Sequence, residues 1–138
     1  MPCLNLFTNV RLEEVDTSTV LSETTKAISD IIGKPETYVM VVLKGSIPIS
    51  FGGTQQPAAY GELVSIGGLN SDVNKKLSAG IADILENNMS IPKSRFFLKF
   101  YDSKASHCKS STRICSVFAC LASTINLGFY SPYPNSVS

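Results

Sequence analysis

The chain of 138 residues is 43% hydrophobic and 17% charged, which suits one globular domain built around a single core. A formal net charge of +1 offers neither the basic surface that nucleic-acid binding requires nor an acidic tail, so we expect no nucleic-acid partner. Charged side chains at Arg11, Glu13 and Glu14 interrupt any signal-peptide pattern, and we expect a cytoplasmic protein with reduced thiols.

The amino terminus begins Met1-Pro2. A small second residue normally permits removal of the initiator methionine, which leaves Pro2 with a free secondary amine. An α-amino group titrates at about 7.7–8.0, so burial or a nearby cation would bring it to neutrality and make it a usable general base. The alternative interpretation is that Pro2 serves only to permit methionine removal.

Residues 2–10 alternate as a strand does, with Leu4, Leu6 and Thr8 on one face. Asp16-Thr17-Ser18 is typical of a helix N-cap, and an amphipathic helix follows. Gly33 suits the end of this helix, and Pro35 prevents its continuation. Residues 38–43 are apolar on both faces, which indicates a strand that is covered on both sides.

The pattern then repeats after a loop over residues 44–57, in which Gly52-Gly53 indicates a turn rather than a phosphate site because no helix follows. A strand is predicted over residues 58–66. Asn70 or Ser71 caps a second amphipathic helix, Pro92 stops it, and a strand is predicted over residues 96–101.

Two strand–helix–strand units are thus related by a shift of roughly 55 to 58 positions. They predict an α+β (α/β) fold, a tandem βαβ repeat, whose four-stranded sheet carries both helices on one face. The opposite face is predicted to present Leu4, Val41 and either Val64 or Leu63. An apolar face of this kind requires cover, for which association of subunits is the simplest source.

The segment from Lys104 to Ser138 shows neither helical nor strand periodicity, and we expect an irregular or disordered extension there. Its apolar-leaning part is short of the roughly 20 residues that a membrane helix needs, so no membrane partner is expected. The spacing of His107, Cys108, Cys115 and Cys120 does not match a zinc site, and neither metal nor cofactor is expected.

In six stretches the chain resembles the macrophage migration inhibitory factor and D-dopachrome tautomerase family, most closely its plant members. They are Met1-Pro2, Thr8-Asn9-Val10, Gly33-Lys34-Pro35, Ser50-Phe51-Gly52-Gly53, Ser65-Ile66-Gly67 and Tyr101-Asp102. The resemblance predicts a domain over residues 1–103, with residues 104–138 as a divergent extension. It implies the tautomerase fold and a homotrimer, whose assembly would cover the open sheet face.

The chemistry implied by the resemblance is keto–enol tautomerisation of phenylpyruvate-like 2-keto acids and isomerisation of dopachrome-type substrates, with Pro2 as the base. Lys34 matches the lysine that binds the substrate carboxylate, although a cation at the end of a helix is also favourable by itself. Ser65 and Ile66 match residues that line the same pocket. Tyr38 either adds an aromatic wall or belongs to the core.

Two positions depart from the family pattern. Phe97 stands where animal members have a tyrosine and Lys99 where they have an asparagine, and both positions face the neighbouring subunit's pocket in the family. Lys99 could hold a carboxylate as Lys34 does, but the loss of the tyrosine hydroxyl and the asparagine amide predicts weak activity. The alternative function is therefore a cytokine-like signalling protein with a vestigial pocket, a protein receptor and secretion without a signal peptide. Thiol redox activity is not expected, because residues 57–60 contain no cysteine pair.

Overall fold

The computed structural model describes residues 1–107, and the expectations for the extension fall almost entirely outside them. The described residues form one mixed four-stranded sheet and two α-helices. In chain order these elements are β1 (Cys3–Thr8), α1 (Thr17–Ile32), β2 (Met40–Lys44), β3 (Ala59–Ser65), α2 (Ser71–Met89) and β4 (Phe96–Asp102). Short 3-10 turns precede α1, β2 and β4, and a fourth, Ala105–His107, follows β4.

The sheet order is β2-β1-β3-β4. The two strands within each unit are parallel, as predicted, whereas the units meet through the antiparallel pair of β1 and β3. Each unit therefore contributes one central strand and one edge strand. The amino-terminal end of β1 lies between the start of β2 and the end of β3, because Cys3 pairs with both Met40 and Val64.

Both helices begin and end with the predicted signals. The Asp16 side chain accepts the Thr19 N–H at 3.2 Å, and Asn70 Oδ1 accepts the N–H groups of Asp72 and Val73 at 3.0 and 2.9 Å. These bonds satisfy amide groups that have no partner within the first helical turn. Gly33 ends α1 at φ +78°, a left-handed conformation that glycine adopts without steric cost.

The core lies between one face of the sheet and the two helices. Leu4, Leu6 and Leu63 are fully buried against residues of α1 and α2, among them Val20, Ile28, Leu77, Ile81 and Leu85. The prediction that Leu4 lies on the open face is therefore wrong, and of the two alternatives Val64 and Leu63 the structure excludes Leu63. Val41 is also misplaced, because it pairs with Leu4 and packs against the core. Alternation gives two sets of side chains for each strand, and only helix packing decides which set is inside.

The strand predicted over residues 38–43 is also shorter and less covered than expected. Tyr38 belongs to a 3-10 turn, Glu36–Tyr38, and β2 runs from Met40 to Lys44. The strand lies at an edge of the sheet, and 49% of the Met40 surface is exposed. Apolar composition alone does not distinguish a strand covered on both faces from an edge strand with one exposed apolar face.

The open face of the sheet carries a ladder of aromatic side chains. Tyr60 lies between Phe7 and Phe97, with ring centroids 6.1 Å apart in both pairs, and Lys44 Nζ is 5.7 Å from the Phe7 ring. The Tyr60 hydroxyl donates a 2.7 Å hydrogen bond to Glu62. In this single chain Phe97 is 54% exposed and Tyr101 is 40% exposed, so this face presents aromatic side chains that an association could cover.

Across the part of the chain that the structure describes, no helix combines the length and apolarity needed to cross a lipid bilayer.

Candidate active site at the amino-terminal end of the first strand

Pro2 occupies a buried position at the start of β1. Its side chain is less than 2% exposed, and its carbonyl oxygen accepts the Met40 N–H at 2.9 Å. The residue that carries the candidate base is therefore held by the first hydrogen bond between β1 and β2. Burial of this kind would disfavour a protonated amine once Met1 has been removed.

Lys34 follows the glycine that ends α1, and three hydrogen bonds fix it. Its backbone N–H donates to the Ser29 carbonyl at 3.1 Å, and the Ser29 hydroxyl donates to the Lys34 carbonyl at 2.6 Å. Its ammonium Nζ donates to the carbonyl oxygen of Ile66 at 2.7 Å. The helix end thus aims this side chain at the end of β3.

The ammonium of Lys34 is unusually easy to deprotonate. Burial lowers the pKa of Lys34 from 10.5 to about 8, and the negative charge of Asp102 partly opposes this effect. A lysine with this pKa is still mostly protonated at neutral pH. Its ammonium is already partly removed from water, so binding a carboxylate costs it less hydration than the same contact would cost an exposed lysine.

The residues that follow β3 form a tight turn at the same end of the sheet. The fully buried Ser65 donates its hydroxyl to the Gly67 carbonyl at 2.8 Å, while Ile66 offers its carbonyl to Lys34. The Gly67 N–H donates to Asp102 Oδ1 at 3.1 Å. Ser65 is thus engaged within the turn, and Ile66 reaches the site through its backbone.

Asp102 is a member of this group to which the sequence reasoning gave no role. It pairs with Ser65 in the register of β3 and β4, and the adjacent Ser103 N–H donates to the Ser65 carbonyl at 2.9 Å. The only signal in the sequence was its place within the Tyr101-Asp102 match. Its proximity to Lys34 depends on strand pairing, which local patterns do not reveal.

Tyr38 lies two residues before Met40, at the same end of the sheet as Pro2, which immediately precedes β1. The Tyr38 side chain is half-buried. Its position is compatible with either an aromatic wall or a core residue. The two alternatives for Tyr38 therefore both stand.

Phe97 and Lys99 are not brought to this end of the sheet. Phe97 pairs with Tyr60, five positions before Asp102 along β4, which at about 3.3 Å per residue is roughly 16 Å away. Lys99 pairs with Glu62 on the open face, with its Nζ 5.5 Å from the Tyr101 ring centroid. The pKa of Lys99 is raised, chiefly by its hydrogen bond to Tyr101, so it stays cationic. Within one chain these two residues belong to a separate surface.

Within residues 1–107, no group of three or more histidine, cysteine, aspartate or glutamate side chains is placed to hold a metal ion. Cys108, Cys115 and Cys120 lie outside the described residues.

Two βαβ units in one four-stranded sheet, with Pro2 immediately before the first strand, are the features of a tautomerase-type protein. The family model for macrophage migration inhibitory factor (MIF) matches residues 1–117. A homologue of this factor from Trichuris trichiura is 38% identical over 106 residues, which cover 77% of this chain and 92% of that protein. A second homologue, from Trichinella spiralis, is 39% identical over 100 residues, covering 72% of this chain and 87% of that protein.

Solved structures agree with this assignment. The Trichinella spiralis factor superposes with a TM-score of 0.74 at 34% identity, covering 79% of this chain and 96% of the other. The homologue from Prochlorococcus marinus gives a TM-score of 0.76 at 29% identity, covering 79% and 95%. The chain belongs to the macrophage migration inhibitory factor family.

Proposed function

We propose that this protein is a keto–enol tautomerase that acts on phenylpyruvate-like 2-keto acids and dopachrome-type substrates, with Pro2 as the general base. Family membership supports the reaction class. The observation that carries the proposal is the half-buried Lys34 ammonium. It is held by the Ile66 carbonyl at the end of the sheet where Pro2 leads into β1. A cation and a basic nitrogen at the same end of the sheet are what a 2-keto acid requires.

In the proposed reaction the substrate carboxylate binds Lys34, which orients the carbon next to the keto group toward Pro2. The Pro2 nitrogen takes a proton from that carbon, and the electron pair of the broken C–H bond forms the enolate. The same proton is then returned to the enolate oxygen, so the reaction needs no cofactor and no net proton. Positioning of the base within hydrogen-bond reach supplies most of the acceleration.

The proposed assembly is a homotrimer in which the open sheet faces surround a central channel. The exposure of Phe97 and Tyr101, 54% and 40%, supports an association that covers this face. Because Phe97 and Lys99 lie far from Pro2 of their own chain, they would complete the pocket of a neighbouring subunit. A substrate would then contact Lys34 and Pro2 of one chain and the β4 side chains of the next.

The test is the ketonisation of enol-phenylpyruvate, followed by ultraviolet absorbance with protein whose Met1 has been removed, as checked by mass spectrometry. Pro2→Gly retains methionine removal but replaces the secondary amine, and we expect kcat/KM to fall by about 10²-fold or more. A variant with one alanine inserted before Pro2 turns its nitrogen into an amide and should be equally impaired. Equal rates for all three proteins would end the proposal.

A cytokine-like protein with a protein receptor is the second candidate function. Phe97 and Lys99 favour it, because each replaces a donor that animal family members use. Under this alternative the protein would act outside the cell, whereas the enzyme would act in the cytoplasm. A trimer in sedimentation analysis with no turnover above background would favour the binding protein.

A further inference from the structure

The carboxylate of Asp102 lies at the centre of the hydrogen-bonded turn that holds Lys34. Asp102 Oδ1 accepts the Gly67 N–H at 3.1 Å, and the neighbouring Ile66 carbonyl accepts the Lys34 ammonium at 2.7 Å. Residues from the end of α1, the end of β3 and the end of β4 therefore meet in one network. Asp102 is the member that brings a negative charge to it.

We propose that Asp102 is a positioning residue that keeps Lys34 protonated and directed for carboxylate binding. The inference rests on the proposed function, since it assigns to Lys34 the carboxylate of a 2-keto acid. It adds a residue to which neither the sequence patterns nor the family resemblance gave a role.

Two physical effects act through Asp102. The first is geometric: its bond to the Gly67 N–H holds the turn whose Ile66 carbonyl aims the Lys34 side chain. The second is electrostatic: its negative charge favours the ammonium form of Lys34 and opposes the effect of burial on the Lys34 pKa. The negative charge of Asp102 favours the protonated form of Lys34, whereas a protonated Pro2 amine would disfavour it.

The charge and the geometry can be separated by two substitutions. Asp102→Asn retains an oxygen that can accept the Gly67 N–H but removes the charge, whereas Asp102→Ala removes both. Asp30→Asn serves as a matched control, because it neutralises an exposed carboxylate of α1, whereas burial and Asp102 are what shift the Lys34 pKa. All three variants change the formal charge by the same amount.

The direct measurement is the titration of Lys34 by NMR, using the Cε resonance of 13C-labelled lysine, which needs no substrate and no activity. Loss of an opposite charge close to the ammonium should lower the Lys34 pKa below its wild-type value of about 8 in Asp102→Asn. Asp30→Asn should leave it unchanged. If Lys34 titrates at the same pH in Asp102→Asn and the wild type, the proposal is overturned.

The functional measurement is the pH dependence of KM for enol-phenylpyruvate. Because a lower Lys34 pKa leaves fewer ammonium groups at and above pH 8, Asp102→Asn should match the wild-type KM at pH 6 and exceed it increasingly as the pH rises through 8. A merely structural role would raise KM equally at every pH. If no variant turns over substrate, the proposed function fails, while the NMR titration still decides whether Asp102 controls Lys34.

Discussion

Replacing Lys34 by methionine should stabilise the folded chain at neutral pH while it removes the proposed carboxylate site. Methionine has a similar length and no charge, so the substitution relieves the burial of an ammonium group. Because burial depresses the Lys34 pKa, the unfolded chain binds more protons than the folded chain between about pH 8 and pH 10.5. Below pH 8 the wild type carries the full cost of the buried charge, and above pH 10.5 it carries none.

The size of this effect follows from the pKa values. The decrease from 10.5 to about 8, at about 1.36 kcal/mol for each tenfold change in proton affinity, gives an upper limit of about 3.4 kcal/mol. Lys34 is only partly buried, and solvent screens its charge, so we expect about 1–2 kcal/mol. The lost hydrogen bond to Ile66 contributes about 1 kcal/mol in the opposite direction at every pH.

The assay is urea unfolding of the wild type and Lys34→Met at pH 7 and pH 10. Between pH 7 and pH 10 about three quarters of the cost is relieved, so the difference in unfolding free energy should move by about 0.7–1.5 kcal/mol toward the wild type. Lys26→Met is the control, since it removes an exposed lysine of the same helix and relieves no buried charge. If Lys34→Met behaves as Lys26→Met does, the argument from burial is refuted.

Three other substitutions test the core, the loop and the open face. Leu63→Ala should lower the free energy of unfolding in urea by about 2–5 kcal/mol, because Leu63 is fully buried. Val64→Ala changes the open face instead, and a larger decrease for Val64→Ala than for Leu63→Ala would contradict the assigned sides of β3. Arg95→Lys should speed proteolysis within residues 51–57, because the Arg95 guanidinium donates hydrogen bonds to four carbonyl oxygens there. An unchanged cleavage rate would show that these hydrogen bonds do not stabilise the loop. Phe97→Tyr should raise kcat/KM for enol-phenylpyruvate about 10-fold by restoring a hydrogen-bond donor. If the variant is trimeric and its kcat/KM is unchanged, Phe97 lies outside the pocket.

Much of the fold was predictable because its signals are local. Helix ends depend on residues within one turn, and the predicted signals at Asp16, Gly33 and Asn70 all occur where α1 and α2 begin or end. Parallel pairing within each unit also followed, since a helix between two strands returns the chain to the same end of the sheet. Local steric and hydrogen-bonding rules therefore set the elements and the pairing within each unit.

The facing of the strands was not predictable by the same reasoning. A period of two separates Leu4 from Cys3 but does not say which of them meets the helices. The answer required the packing of both helices on one face of the sheet formed when β1 pairs with β3, which places Leu4 beside Leu63 in the core. That contact spans more than fifty residues of sequence, beyond the reach of any local pattern.

The sequence by itself determined the two βαβ units, their caps and the candidate residues Pro2 and Lys34. Only the tertiary structure decided that Lys34, Ile66 and Asp102 meet in one network and that Phe97 lies at the opposite end of the sheet. The physical reason is that backbone preferences act over a few residues, whereas the pKa of a side chain and the composition of a site depend on groups that strand pairing brings together from distant parts of the chain.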